Sequence, residues 1–428
     1  VKMAACVRAV VVRRDDALVF LRADGDEGRT LCLDLARPAR GAGGPNRLYL
    51  APMLAEGCQV NLIAPVLLAD GEHVEAELVV LEPDYLMDVS AVAACAEDYG
   101  DTPLTALVRR LTPHDDTDAT LLGTLAGQLL DDEMRHAPDG ARYEDSVSRF
   151  FRYKPLALLT TPLEADFHQR ARQQQQHIRR ALTQTLPQAV PGFDLRHAMV
   201  EPSFFSEALG LQGRMDFLQW DGRVIMEQKS GKCGYPQQRP DVPVLARKHY
   251  VQVLLYVAML RHLHGAQPDL THNMQAFLLY SRYAESLVAV GYAPTVVFEA
   301  MRLRNRIVGM EHHLASAGYG LLTTLTADRL NENACQSRLW REWQRPAIEQ
   351  TLTPLRQASS LERAYCLRLL AFLSREHLLA KTGNARKENS GFAATWHDAI
   401  DDKRAAGNIY DGLHMVEPAG NEGESDDA

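Results

Sequence analysis

Between Gly213 and Lys232 the chain reads GRMDFLQWDGRVIMEQKSGK. Apolar and polar residues alternate on both sides of Asp221-Gly222, and Asp-Gly is the favoured two-residue type I′ turn between antiparallel strands. The stretch predicts a β-hairpin in which Trp220 faces Arg223, Phe217 faces Met226, Asp216 faces Glu227 and Arg214 faces Lys229. Facing side chains have Cβ atoms about 4.5–5.5 Å apart, and like charges there are destabilising. Phe217 and Met226 read as core. Asp216 and Glu227 require something positive between them, unless this face simply meets solvent.

A hard divalent cation meets the requirement. Mg²⁺ takes oxygen ligands and is commonly held by one or two carboxylates with phosphate and water, and the main-chain carbonyl of Gln228 would supply a further oxygen beside the pair. Lys229 projects from the same face as Glu227, because strands have period two. Its ammonium could position an attacking water or stabilise charge developing on phosphate. Acids, metal and lysine together describe phosphodiester hydrolysis by a metal-activated water. The next helical stretch, RKHYVQVLLYVAML, sets His249, Gln252 and Tyr256 along one stripe at spacings of three and four, with the other faces nearly all apolar. A buried polar edge needs partners. These are either the acids of the hairpin or local backbone.

The remaining chain bounds this reading. Its 428 residues suffice for two or three domains. Residues 1–97 show five short apolar strands with polar turns and predict an OB-like β-barrel domain, a β-sandwich being the alternative. Helical periodicity begins near 98, giving an α/β domain over 98–325 and a helical C-terminal region over 326–412. Residues 413–428 form an acidic tail expected to be disordered. Five acids of that tail contribute to the net charge of −9, so overall charge does not exclude a nucleic-acid partner. No phosphate-binding G-x-x-x-x-G-K-[ST] loop occurs, and no apolar run approaches a membrane span. The first residues, broken by Arg8, Arg13 and Arg14, do not read as a signal peptide. Seven scattered cysteines without a C-x-x-C pair fit a reducing, cytoplasmic setting.

An acid, ten residues, E-x-K, and then Q-x-x-x-Y resembles the PD-(D/E)XK nuclease superfamily in its RecB-like branch. That branch includes CRISPR-associated single-strand exonucleases and the nuclease portion of the eukaryotic-type replication helicase–nuclease. GLQGRMDFL, VIMEQKSGK and HYVQVLLY carry the likeness, with LLGTLAGQLLDD similar to the first nuclease helix and LVVLEPDYLMDVSAVAAC to the passage from OB-fold to nuclease. The resemblance implies a mixed α/β, restriction-endonuclease-like core preceded by a small OB-like barrel. It implies Mg²⁺ or Mn²⁺ held by Asp216, Glu227 and the Gln228 carbonyl, with Lys229 catalytic, Gln252 and Tyr256 ordering the site and meeting DNA, and Glu201 and His249 supporting. Two departures stand out. Gly127 occupies the place of the branch's metal-binding histidine. Cys95 stands where an upstream cluster ligand would be, yet only Cys335 and Cys366 follow in the region where three clustered thiols are needed, so no [4Fe–4S] cluster is expected.

Residues 135–182 hold nine Lys/Arg against five acids. Within them SRFFRYKPL interleaves rings with cations, as single-strand binding uses. Arg152, Tyr153 and Lys154, followed by Arg179 and Arg180, are the candidate DNA contacts, a packing element being the alternative. The sequence thus predicts a metal-dependent deoxyribonuclease acting on single-stranded flaps or ends, the nuclease portion of a replication or repair machine whose helicase motor is joined in cis or recruited in trans. The rival is a non-catalytic single-strand DNA-binding module that keeps the fold; the intact Asp216, Glu227 and Lys229 favour the enzyme.

Overall fold

A computed structural model describes residues 3–25, 29–40, 45–233, 244–263, 273–383, 391–407 and 409–414. The chain is mixed α/β. Its N-terminal region is an antiparallel sheet of β1 (Cys6–Asp15), β2 (Leu18–Ala23), β3 (Thr30–Asp34), β4 (Gln59–Ile63) and β5 (Leu78–Leu81), ordered β3-β2-β1-β4-β5. One face is apolar, through Ala9, Val11, Val19, Leu21, Leu31, Leu33, Val60 and Leu62. Beyond β3 a single parallel bridge joins Cys32 to His73.

The central sheet has the order β6-β7-β8-β9-β10: β6 (Ala198–Val200), β7 (Phe217–Gln219), β8 (Val224–Lys229), β9 (Gln275–Tyr280) and β10 (Leu287–Val290). Only β8 and β9 run parallel; the chain between them includes helix α3 (Arg247–Leu263), which supplies the crossover such a pair requires. Period two sends alternate side chains to opposite faces. Leu218, Ile225 and Leu278 pack with α3 and α4 (Pro294–Ala317). Phe217, Val224, Met226, Phe277 and Leu279 pack with α1 (Asp118–Arg135) and α2 (Phe167–Arg180). The result is a sheet covered by helices on both sides.

The hairpin has the expected register, Phe217 facing Met226 and Leu218 facing Ile225. Its tip differs from the expected type I′ turn. Gly222 alone is left-handed, at φ +73°, and its N–H closes a turn onto the Gln219 carbonyl at 2.8 Å. The strand also breaks sooner than the alternation suggests. Leu211–Arg214 leaves the hairpin and pairs with Ser203–Ser206 and Met87–Asp88, so Arg214 does not face Lys229. Asp216 sits in the break.

Beyond α2 the helical path runs on past Pro187. A π-helical turn over Ala181–Thr185 widens the backbone and leads into Leu186–Ala189, where the proline falls in the first turn and needs no hydrogen bond. After residue 325 the described chain is helical, ending in a long helix α5 (Ser360–Thr382) and two short ones. The acidic tail falls almost wholly outside the described residues.

Candidate active site

The break before β7 leaves the end of β8 without a backbone neighbour on that edge, and side chains take over. The Gln228 N–H donates to Asp216 Oδ2 at 2.6 Å. The carbonyls of Arg223 and Lys229 accept from Gln275 and Ser281 on the β9 side. By strand alternation the Gln228 carbonyl leaves on the opposite edge, the one its N–H shares with Asp216.

Glu227, on the α3 face, is 5% exposed. Its Oε1 accepts from Lys229 Nζ at 2.7 Å and from Gln252 Nε2 at 2.6 Å. Its Oε2 is buried and meets no donor among the described residues. Burial first, and then the charge of Asp216, push the Glu227 carboxyl up to about 7 from an ordinary 4.5, against the pull of Lys229. Burial likewise raises Asp216, opposed by the Gln228 N–H and by Lys229. Both acids are thus poised for a cation.

The stripe on α3 reaches the site as a unit. Gln252 touches Glu227, and Tyr256 OH donates to the Arg214 carbonyl at 2.8 Å, holding the chain just before Asp216. Gly213 permits this approach, since a Cβ there would lie 2.8 Å from Tyr256 Cε1. His249 Nδ1 lies 3.1 Å from Tyr280 OH, and burial, with Lys229 and Lys248 nearby, pushes the imidazole down to about 3, so it is neutral.

Glu201 adopts a left-handed backbone, φ +49°, rare for a residue with a side chain. Its N–H reaches the Asp216 carbonyl at 3.4 Å and its carboxylate pairs with Arg214 at 3.1 Å. Sequence reasoning missed Asp131. This acid, one turn beyond Gly127 on α1, is pushed up to about 7 by burial and then by Glu201, with Asp216 adding to the effect. The signal was the spacing of four from Gly127 to Asp131, which puts both on one face of the helix.

The donor set suits a hard divalent ion: two carboxylates of raised pKa, an unpartnered buried carboxylate oxygen and a neighbouring main-chain carbonyl. Among the described residues no three His, Cys, Asp or Glu side chains form a ready-made metal cage. Further positions would fall to phosphate and water, which Mg²⁺ accepts readily.

The expected DNA contacts lie apart from this group in the chain. Phe150 is buried, whereas Phe151, Arg152 and Tyr153 are exposed at the end of the helix Tyr143–Tyr153. Lys154 Nζ is 3.9 Å from Asp116. Arg179 is engaged through two nitrogens, each 2.8 Å from the buried Glu133 carboxylate, and Arg180 is exposed. Cys95 is buried, while Cys335 and Cys366 are partly buried.

A carboxylate pair with a lysine at the end of a central sheet strand, braced by a crossover helix, is an arrangement on which metal-assisted hydrolysis could be built. A sequence model of the PD-(D/E)XK nuclease superfamily matches residues 90–368. The chain belongs to the PD-(D/E)XK nuclease superfamily, whose members are nucleases and typically use divalent metal ions. Among curated proteins no significant match was found. No helix among the described residues is long and apolar enough to cross a membrane.

Proposed function

We propose that the protein is a Mg²⁺- or Mn²⁺-dependent deoxyribonuclease of the RecB-like branch that hydrolyses single-stranded DNA at flaps or ends. The observation that carries the reading is Glu227: a deeply buried carboxylate, bonded through Oε1 to Lys229 and Gln252, with Oε2 unpartnered and the like charge of Asp216 acting on it. Such an oxygen is costly to bury without a counter-charge. A divalent ion held by Asp216, Glu227 and the Gln228 carbonyl would supply Lewis acidity toward the scissile phosphate.

The protein's own groups do the rest. Lys229 balances the Glu227 charge at rest and lies where an ammonium can stabilise charge that grows on phosphate. Gln252 fixes the Glu227 carboxylate, and Tyr256 fixes the turn that presents Asp216. Arg152, Tyr153, Lys154 and Arg180 track and stack the strand, with Arg179 bracing Glu133 until DNA competes. In this reading 1–97 is an OB-like barrel domain, 98–325 the nuclease domain, 326–412 a helical region and 413–428 a tail. The partner is a helicase motor, the setting is cytoplasmic DNA replication or repair, and no iron–sulfur cluster takes part.

The test is a labelled single strand incubated with the full chain over a Mn²⁺ and Mg²⁺ titration, beside duplex DNA and RNA. Metal-dependent cleavage that favours single-stranded DNA is expected. Cleavage unaffected by chelation, or preference for duplex or RNA, overturns the reading.

A further inference from the structure

The face of β8 turned away from Glu227 holds a second polar cluster. Gln228 Nε2 donates to Ser281 Oγ at 2.9 Å, and Ser281 Oγ donates to Gln174 Oε1 at 2.6 Å. The Ser281 N–H donates to the Lys229 carbonyl at 3.0 Å, Gln174 Nε2 reaches the Ser230 carbonyl at 3.4 Å, and His177 Nδ1 lies 2.8 Å from the Ser281 carbonyl. Ser281 is 0% exposed and Gln174 3%.

The last two residues of β8 and the one after it are therefore each tied to this cluster: Gln228 by its side chain, Lys229 and Ser230 by their carbonyls. Helix α1 completes the grip. Gly123 and Gly127, one turn apart, lie against the strand end, where a Cβ would stand 3.1 Å from Ser230 Oγ and 3.9 Å from Gln228 Oε1. Apolar side chains could fill this space without the cost of desolvating amides and a hydroxyl. What hydrogen bonds add is direction, because they fix peptide planes and torsions that apolar contacts leave free.

The peptide planes fixed here matter on the other face. Glu227 and Lys229 flank Gln228, and the Gln228 N–H holds Asp216. A rotation of this backbone would move both acids, the lysine and the Gln228 carbonyl together. We infer that Gln174 and Ser281 are positioning residues, which hold the end of β8 so that Asp216, Glu227 and Lys229 converge. This inference rests on the nuclease reading of that site.

The test compares the full chain with Ser281→Ala and, in case that variant does not fold, Gln174→Met. Mn²⁺ affinity is read from the free-ion EPR signal, cleavage from single turnovers on a labelled single strand, and strand affinity without metal from fluorescence anisotropy. Outer partners of metal ligands typically contribute 10–100-fold to affinity or activity. Mn²⁺ affinity and the single-turnover rate should each fall about tenfold or more, with metal-free strand affinity within twofold. Variants that melt earlier yet keep Mn²⁺ affinity and rate within twofold overturn the inference, because the cluster is then packing only. A parent that binds Mn²⁺ but cleaves no nucleic acid overturns the nuclease reading instead, and the Mn²⁺ comparison still decides the positioning role.

Discussion

The main-chain N–H of Gln228 donates to Asp216 Oδ2 at 2.6 Å, so the first acid of the hairpin is fastened to the residue that follows the second. The bond exists because β7 starts only at Phe217, leaving this N–H without a ladder partner. A carboxylate replaces the missing strand residue, and the two acids stay close despite their charge.

The acids make the metal-free protein sensitive to pH. Glu227 titrates near 7 when folded and near 4.5 when not. Between these values the native state holds more protons than the unfolded chain, so metal-free stability falls as pH rises through that window and stays low above it. Glu227→Gln should flatten the trend and stabilise the metal-free protein at pH 8 by on the order of 2–3 kcal/mol. Urea unfolding at pH 5 and pH 8 checks this. Mn²⁺ affinity should rise with pH up to about 7, since the proton and the metal compete for the same carboxyl.

Gly213→Ala tests the support of Asp216 by Tyr256. The new Cβ would lie 2.8 Å from Tyr256 Cε1, so the ring must shift and loosen its bond to the Arg214 carbonyl. Cleavage should fall by about 10–100-fold, the usual cost of a misplaced site. The single-turnover rate, measured alongside the melting temperature, distinguishes this from unfolding.

Arg304 should be a stability residue. It is 0% exposed and donates to the carbonyls of Leu81, Glu82, Tyr85 and Gly210, tying α4 to the N-terminal sheet and to the turn before Leu211–Arg214. Its neighbour Asn305 accepts from the Leu81 N–H at 3.0 Å and donates to the Val79 carbonyl at 2.7 Å. Arg304→Met leaves several buried carbonyls short of donors and should cost roughly 3 kcal/mol or more. Chemical denaturation measures it.

Much of the site was legible because one strand pair sets it. The alternation around Asp221-Gly222 gave the register, and period two then placed Glu227 and Lys229 together on the face that α3 covers with Gln252 and Tyr256. Asp131 was legible only through its spacing of four from Gly127, and Ser281 not at all. They approach from α1 and from the end of β9, and no local spacing relates them to β8. The break at Asp216 was also hidden, since alternation continues through Arg214 while the backbone changes sheet.

The exposed Arg152 and Tyr153 and the half-buried Lys154 make a separable prediction. If the segment tracks single strands, Arg152→Ala and Lys154→Ala should each reduce the slope of log affinity against log salt by about 0.7. Tyr153→Ala should cost roughly 1–3 kcal/mol with little change in slope, as expected for a stacked base. Binding in Ca²⁺ at several salt concentrations reads both. Three variants that bind like the parent would move the strand to another face.

The most direct measurement takes Asp216→Asn and Glu227→Gln, nearly isosteric changes that remove charge and leave shape. Each purified variant is assayed for Mn²⁺ binding and for single-strand cleavage beside Lys229→Ala. The account predicts folded proteins in which both acid variants lose Mn²⁺ and cleave at least about 10³-fold more slowly. Lys229→Ala should bind the strand nearly as well as the parent while turnover collapses. Cleavage at the parental rate by either folded acid variant would contradict the site.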